Sequence, residues 1–254
     1  MTPSTSTNLS RIVRFGKEPA KRDARNLKLS AILKAPPKLP AEYDFDVQHN
    51  GIPTPMFAND YHGDCVIAGR AHQTLRFEDK EQKKILPITD NDVLKEWHLE
   101  NGNTENGLSV LDSIKLWRTK GWKAAGKVYK IKAFAEIDRK NHDEVKSTVY
   151  ADIGTGLGFA LPDSALPEFH AGKPWTQTSK PPNKNNGHYV YVPGYTTIGP
   201  VGVTWGRKQQ MSWAFFDKYC DEAYAVFDAI DTAKKKSLVD GKKIDDFLDR
   251  LKKK

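Results

Sequence analysis

The order in which two hydrophobic periods occur along these 254 residues restricts the fold more than any other feature. Early in the chain, apolar residues recur at helical spacing. Residues 65–80 put Ile67, Ala71 and Leu75 on one face, Asn91 is placed to cap a helix reaching Leu99, and Leu108, Leu111, Ile114, Leu116 and Trp117 mark a third helix ending near Gly121. Later the period shortens. Val128, Tyr129, Ile131 and Phe134 read as a strand, Val145 and Val149 as one more helix over 141–153, and residues 156–161 as a buried strand. A Pro/Asn/Lys-rich loop over 173–187 precedes strands at 188–197 and 201–205, parted by a Gly199-Pro200 turn. Trp213, Phe215, Phe216 and Tyr219 belong to a helix packed on the core, and residues 223–227 to a closing strand. Helices first and strands afterwards predict an α+β protein, with a helical lobe facing a sheet or barrel lobe.

The net charge of +8 belongs to the ends. Residues 1–42 hold nine Lys/Arg against three acids and residues 234–254 nine against four, which leaves the middle at about −3. The expected organisation is a basic extension over 1–42, a folded domain over 43–230 and a Lys-rich tail over 231–254. Leu27, Leu29, Ile32 and Leu33 predict a short amphipathic helix in the extension, stopped by Pro36, Pro37 and Pro40. A weak helix in the tail carries Ile244, Phe247, Leu248 and Leu251. Basic ends suit an acidic partner. Lysines without interleaved stacking aromatics argue against nucleic acid, and no apolar run nears the ~18 residues of a membrane span. A polar start without a signal-peptide pattern and only two cysteines predict a reducing, cytoplasmic setting, with a virion-associated one as the variant.

Chemistry concentrates in Asn59-Asp-Tyr-His-Gly63-Asp64-Cys65. A Cys opening a helix sits where the macrodipole and free N–H groups favour a thiolate, and the same N–H groups, with the Asn59 amide, suit an oxyanion. The opposing reading is a small buried hydrophobe. A base is therefore required, and His188, opening a strand after the polar loop and Gly187, is the candidate. His62, Cys65 and His72 fall on different helix faces without a fourth ligand, which argues against zinc. Gly154-Thr-Gly-Leu-Gly lacks the Lys of a phosphate loop.

These pieces together resemble the papain superfamily of cysteine peptidases. Pro55 matches the family's Pro, Asn59 stands where the family has Gln, and Gly63-Asp64-Cys65-Val66 replaces Gly-Ser-Cys-Trp. His188-Tyr-Val-Tyr-Val-Pro-Gly194-Tyr195 matches the His motif, and Val203-Thr204-Trp205-Gly206 resembles Asn-Ser-Trp-Gly. The Cys–His separation of 123 residues is close to the ~130–150 of papain-like enzymes. The matches cover about residues 50–228 in colinear order. Three positions depart. His62 replaces a disulfide cysteine, Asp64 puts a carboxylate beside the nucleophile, and no Asn or Asp lies between His188 and Asp217 to orient the imidazole. Thr204, sixteen residues after His188, is the substitute, its hydroxyl accepting from Nδ1–H.

The resemblance implies a two-lobed papain-like fold and a disulfide-free hydrolase of peptide or amide bonds. Cys65 is then the nucleophile, His188 the base, Asn59 an oxyanion donor and Thr204 the orienting group, with Gly63, Asp64, Gly187 and Trp205 lining the cleft. A peptide or protein substrate follows, and no metal or organic cofactor is required. Two alternatives stay open: an inactive papain-fold binding or structural protein, for instance in a viral or multi-protein assembly, and a transamidase or isopeptidase using the same site. Residues 1–42 are either a pro-like arm along the cleft or a tail or strap packed on the back of the domain.

Overall fold

The computed structural model describes residues 13–34, 38–47, 49, 51–229 and 238–252. The polar start, the Pro36-Pro37 stop and the lysines at 234–236, 253 and 254 lie outside these residues.

Helix α1 (Leu29–Ile32) is one turn, shorter than expected, because Leu33 is extended and pairs with Val239. After the short strand β1 (Tyr43–Asp44) come three helices, α2 (Cys65–Gln82), α3 (Asp90–Asn101) and α4 (Val110–Thr119). The cap of α3 is Thr89 and not Asn91. Thr89 Oγ1 accepts from Asp92 N at 3.2 Å while Asp92 Oδ2 accepts from Thr89 N at 3.0 Å, a reciprocal capping box. Ser109 caps α4 through Asp112 N.

The expected strand over 127–134 is two strands. A hairpin of β2 (Trp122–Ala124) and β3 (Lys127–Tyr129) stands apart, and β4 (Ala133–Glu136) joins the main sheet. Helix α5 (His142–Tyr150) leads to β5 (Gly154–Ala160), and α6 (Ala165–His170) to the long loop. Strands β6 (Gly187–Tyr195), β7 (Pro200–Thr204) and β8 (Arg207–Gln210) follow, then α7 (Trp213–Tyr219), β9 (Cys220–Phe227) and α8 (Gly241–Lys252). The sheet runs β4-β9-β5-β6-β7-β8 with β1 also on β6, and every pair is antiparallel.

Each lobe has its own core. Ile67, Leu75, Trp97, Ile114, Trp117 and Trp122 fill the helical one, and Phe159, Trp175, Val190, Phe215 and Phe227 the sheet lobe. Helix α2 lies between them and is buried on all sides from Cys65 to Phe77, not on a single face. Its two arginines are inside because they are paired, whereas the Gln73 amide is buried with no hydrogen-bond partner among the described residues. Arg70 reaches α3 and α4, and Arg76 grips Asp46 through Nε at 2.8 Å and Nη2 at 2.7 Å. Residues 13–34 also touch this body, with Val13, Leu27, Leu29 and Ile32 in the sheet-lobe core.

Candidate active site

Cys65 is the first residue of α2, and the helix brings β6 to it. One turn on, Gly69 leaves room for the Tyr189 ring, since a Cβ at Gly69 would lie 2.6 Å from Tyr189 Cδ1. Strand β6 thus passes close along the start of α2, with His188 next to Tyr189 in the chain. The Cys65 sulfur faces the backbone N–H groups of Tyr189 and Gly16.

His188 is fully buried. Its Nε2 lies 2.5 Å from Thr204 Oγ1, so Thr204 meets the other ring nitrogen from the one expected. The cause is the ring's orientation: the indole of Trp205 stacks on it with centroids 4.1 Å apart and planes at 22°. Nδ1 has no hydrogen-bond partner among the described residues. An imidazole whose Nε2–H donates to Thr204 keeps its lone pair on Nδ1, the form a general base needs. Trp205 and Gly206 make the two-residue turn joining β7 to β8, both at positive φ (44° and 78°), a type I′ hairpin. A tryptophan seldom takes that conformation, and here it lays the indole over His188.

The cleft between the lobes is filled by the chain's own residues 14–18. Gly16 N and Lys17 N both lie 3.0 Å from Gly187 O on the sheet side, while Leu108 N donates to Gly16 O at 2.8 Å and Glu18 N to Leu108 O at 2.9 Å on the helical side. The fit tolerates no side chain at the crossing: a Cβ on Gly16 would lie 1.7 Å from Gly63 O, and one on Gly187 1.9 Å from Lys17 O. Phe15 sets its ring edge-on to His188 and Trp205. The sequence left a basic segment with two places open, along the cleft or on the back of the domain, and the partner glycines are too distant in sequence for spacing to pair them.

Asn59 is buried and its amide donates to His62 O at 3.0 Å and, more weakly, to Arg14 O at 3.5 Å. Trp205 Nε1 points to that same Arg14 oxygen at 3.4 Å. The Arg14 carbonyl therefore stands where a carbonyl oxygen from another peptide would meet two donors. Asp64 is wholly buried, and desolvation holds its carboxyl well above the ordinary range, with Asn59 opposing. In its neutral form it places no negative charge beside the sulfur.

Burial also inverts the helix-dipole expectation for the thiol. It pushes Cys65 up to about 12, and it pulls His188 down to about 3, with the Lys17 charge adding to the fall. Beneath the strap both groups are thus neutral at pH 7. If release returns His188 to its ordinary 6.5, the open form binds a proton that the strapped form refuses, so acid favours opening between pH 6.5 and about 3, by about tenfold per unit. Glu222 acts in the same sense. Burial raises it from 4.5 to about 6 while the Lys17 charge holds it down, so a hollow that keeps its shape and loses Lys17 takes up a proton more readily than the strapped form does. Expected is strap release that starts just below pH 6.5 and grows steadily with acid. Hydrogen exchange of the Gly16 and Lys17 amides against pH checks this, and protection rising steadily with acid would refute it.

Among the described residues no group of three or more His, Cys, Asp or Glu is arranged to hold a metal ion, and no helix is long and apolar enough to cross a membrane. Both cysteines are free and buried.

No protein-family model and no curated protein sequence matches the chain. Solved structures do. Xylellain, a cysteine protease from Xylella fastidiosa, aligns over 86% of this chain and 97% of its own, at 16% identity and a TM-score of 0.64. The Carica candamarcensis cysteine protease CMS1MS2 aligns over 75% and 99%, at 12% identity and a TM-score of 0.55. The ragweed pollen allergen Amb a 11, a cysteine protease seen in its proform, aligns over 76% and 67%, at 12% identity and a TM-score of 0.56. The mixed helix-and-sheet architecture, with its helical lobe set against an antiparallel sheet, is that of the papain-like cysteine proteases.

Proposed function

We propose that this chain is a thiol hydrolase of peptide or amide bonds, with Cys65 as nucleophile and His188 as its base, kept silent by residues 14–18. The observation that carries the reading is the Arg14 carbonyl held between Asn59 and Trp205, with Gly16 of the same segment against the Cys65 sulfur and Trp205 stacked on an imidazole whose Nδ1 has no hydrogen-bond partner among the described residues. With a substrate carbonyl in the cleft instead, His188 Nδ1 takes the Cys65 proton and the sulfur attacks the carbonyl carbon. The negative oxygen is met by Asn59 Nδ2 and the Cys65 N–H. The C–N bond then breaks, the amine leaves with the proton from Nδ1, and water hydrolyses the thioester. Thr204 is the positioning residue for the ring.

Total burial of both Cys65 and His188 favours a second reading, a non-catalytic protein in which the strap is permanent. One experiment separates the two. In a full chain carrying Gly16→Ala to displace the strap, iodoacetamide is expected to label Cys65 at pH 7, and adding His188→Ala is expected to slow labelling by about a hundredfold. Equal rates with and without His188 would sink the hydrolase reading.

A further inference from the structure

Lys17 is the one strap residue whose side chain is buried inside the sheet lobe. Its backbone N–H is on Gly187 O, next to His188, and its ammonium lies 3.0 Å from Asp221 Oδ2 and 3.2 Å from Glu222 Oε1. The Lys17 side chain is 1% exposed and that of Glu222 5%. The ammonium also donates to Glu18 O at 2.9 Å, so it makes two hydrogen bonds and a second ion pair inside the lobe. Space for the stem exists because the wall is glycine: a Cβ on Gly158 would lie 2.8 Å from Lys17 Cε and 2.6 Å from Glu222 Cγ. In the sheet register Gly158 pairs with both Glu222 and Tyr189, which fixes this hollow beside the candidate Cys–His pair.

A buried carboxylate is costly unless a cation meets it, and among the described residues Lys17 supplies the ion pair for both acids. When the strap leaves, the hollow keeps its shape and its two carboxyl groups and lacks its cation. We propose that the Gly158–Asp221–Glu222 hollow is the specificity pocket of the site, taking a Lys or Arg side chain of a peptide substrate next to the bond that Cys65 attacks. The inference rests on the hydrolase reading for the word substrate and on Lys17 for the chemistry. The pocket is long enough for an unbranched four-carbon stem, and it ends in two acceptors. An apolar side chain of the same length would leave both carboxyl groups unmet, and an acidic one would add a third negative charge.

The test uses the full chain carrying Gly16→Ala and peptidyl ketone probes that react with thiols. The probes place Lys, Leu or Glu at each of the two residues before the electrophile. Expected is labelling of Cys65 by a Lys probe about tenfold or more faster than by its Leu counterpart, with the ratio falling towards one when Glu222→Gln is added. Labelling by Leu probes as fast as by Lys probes would overturn the pocket and leave the hydrolase reading standing. Should no probe label Cys65, the hydrolase reading falls, and the pocket is judged by binding alone. Fluorescence anisotropy then compares a labelled peptide copying residues 13–19 with its Lys17→Leu version. A Lys advantage of about tenfold that Glu222→Gln removes supports the pocket, whereas equal affinity, or no binding by either peptide, overturns it.

Discussion

Gly16→Ala is expected to raise the rate at which Cys65 is alkylated at pH 7 by about two to three orders of magnitude. The added methyl would lie 1.7 Å from the Gly63 carbonyl oxygen, a backbone atom at the mouth of α2 that has no rotamer through which to retreat. Residues 14–18 then cannot lie in the cleft, and water reaches the sulfur. Burial accounts for most of the rise of the thiol from 9.0 to about 12, so rehydration alone restores about a thousandfold more thiolate. Cys220 is the internal reference. It is buried on β9 with its thiol donating to Glu222 O at 3.3 Å, and its alkylation is expected to stay slow. Mass-spectrometric rates for the two cysteines decide the matter. An unchanged Cys65 rate would mean that the strap does not govern access, and equal acceleration of both thiols would mean that the variant loosens the whole fold.

Arg70→Ala is expected to lower stability by about 3–5 kcal/mol, as for other buried ion pairs that lose one partner. Arg70 Nη1 lies 3.1 Å from Glu96 Oε1, and Nη2 lies 2.7 Å from Glu100 Oε1 and 2.9 Å from Ser113 O, with the guanidinium 5.4 Å from the centre of the Trp117 ring. One side chain thereby holds α2, α3 and α4 together. Without it two inward carboxylates lose the cation that pairs with them among the described residues, and Glu96 is already raised to about 6, by burial first. Protonation relieves part of that penalty, so the loss is expected to be smaller at pH 5 than at pH 8. The urea midpoint at unchanged slope measures it. A loss below about 1 kcal/mol would show that the neighbours repack or admit water.

What could be read in the sequence was whatever a few adjacent residues encode. The Cys65 helix, the His188 strand and the strand carrying Thr204 each carry a local pattern and stand within two residues of where it predicts, whereas Trp205, which reads as strand, lies in the turn that follows. Thr204 was found by its distance from His188, but which ring nitrogen it meets depends on a rotamer fixed by Trp205. Asn91 suits the cap role by residue type, but Thr89 suits it equally, and only the reciprocal bond with Asp92 decides. The buried flank of α2 was illegible for another reason. Arg70, Gln73 and Arg76 read as a polar face, and the partners of the two arginines, Glu96, Glu100 and Asp46, lie 26 to 30 residues away. The strap is the extreme case. Lys17 meets Asp221 across 204 residues, and no spacing rule reaches that far.

Because the occupant of the cleft is covalently part of the chain, it never dilutes away. A tethered segment competes at an effective concentration that can reach the millimolar range and is unaffected by how much protein is present. Any free peptide must displace it, so its apparent affinity is the intrinsic one scaled by the fraction of molecules in which the cleft is open. A competitor of this kind weakens half-saturation and leaves the maximal rate unchanged. Such a cleft would favour peptides delivered at high local concentration, or held by a second contact, over dilute ones of the same sequence.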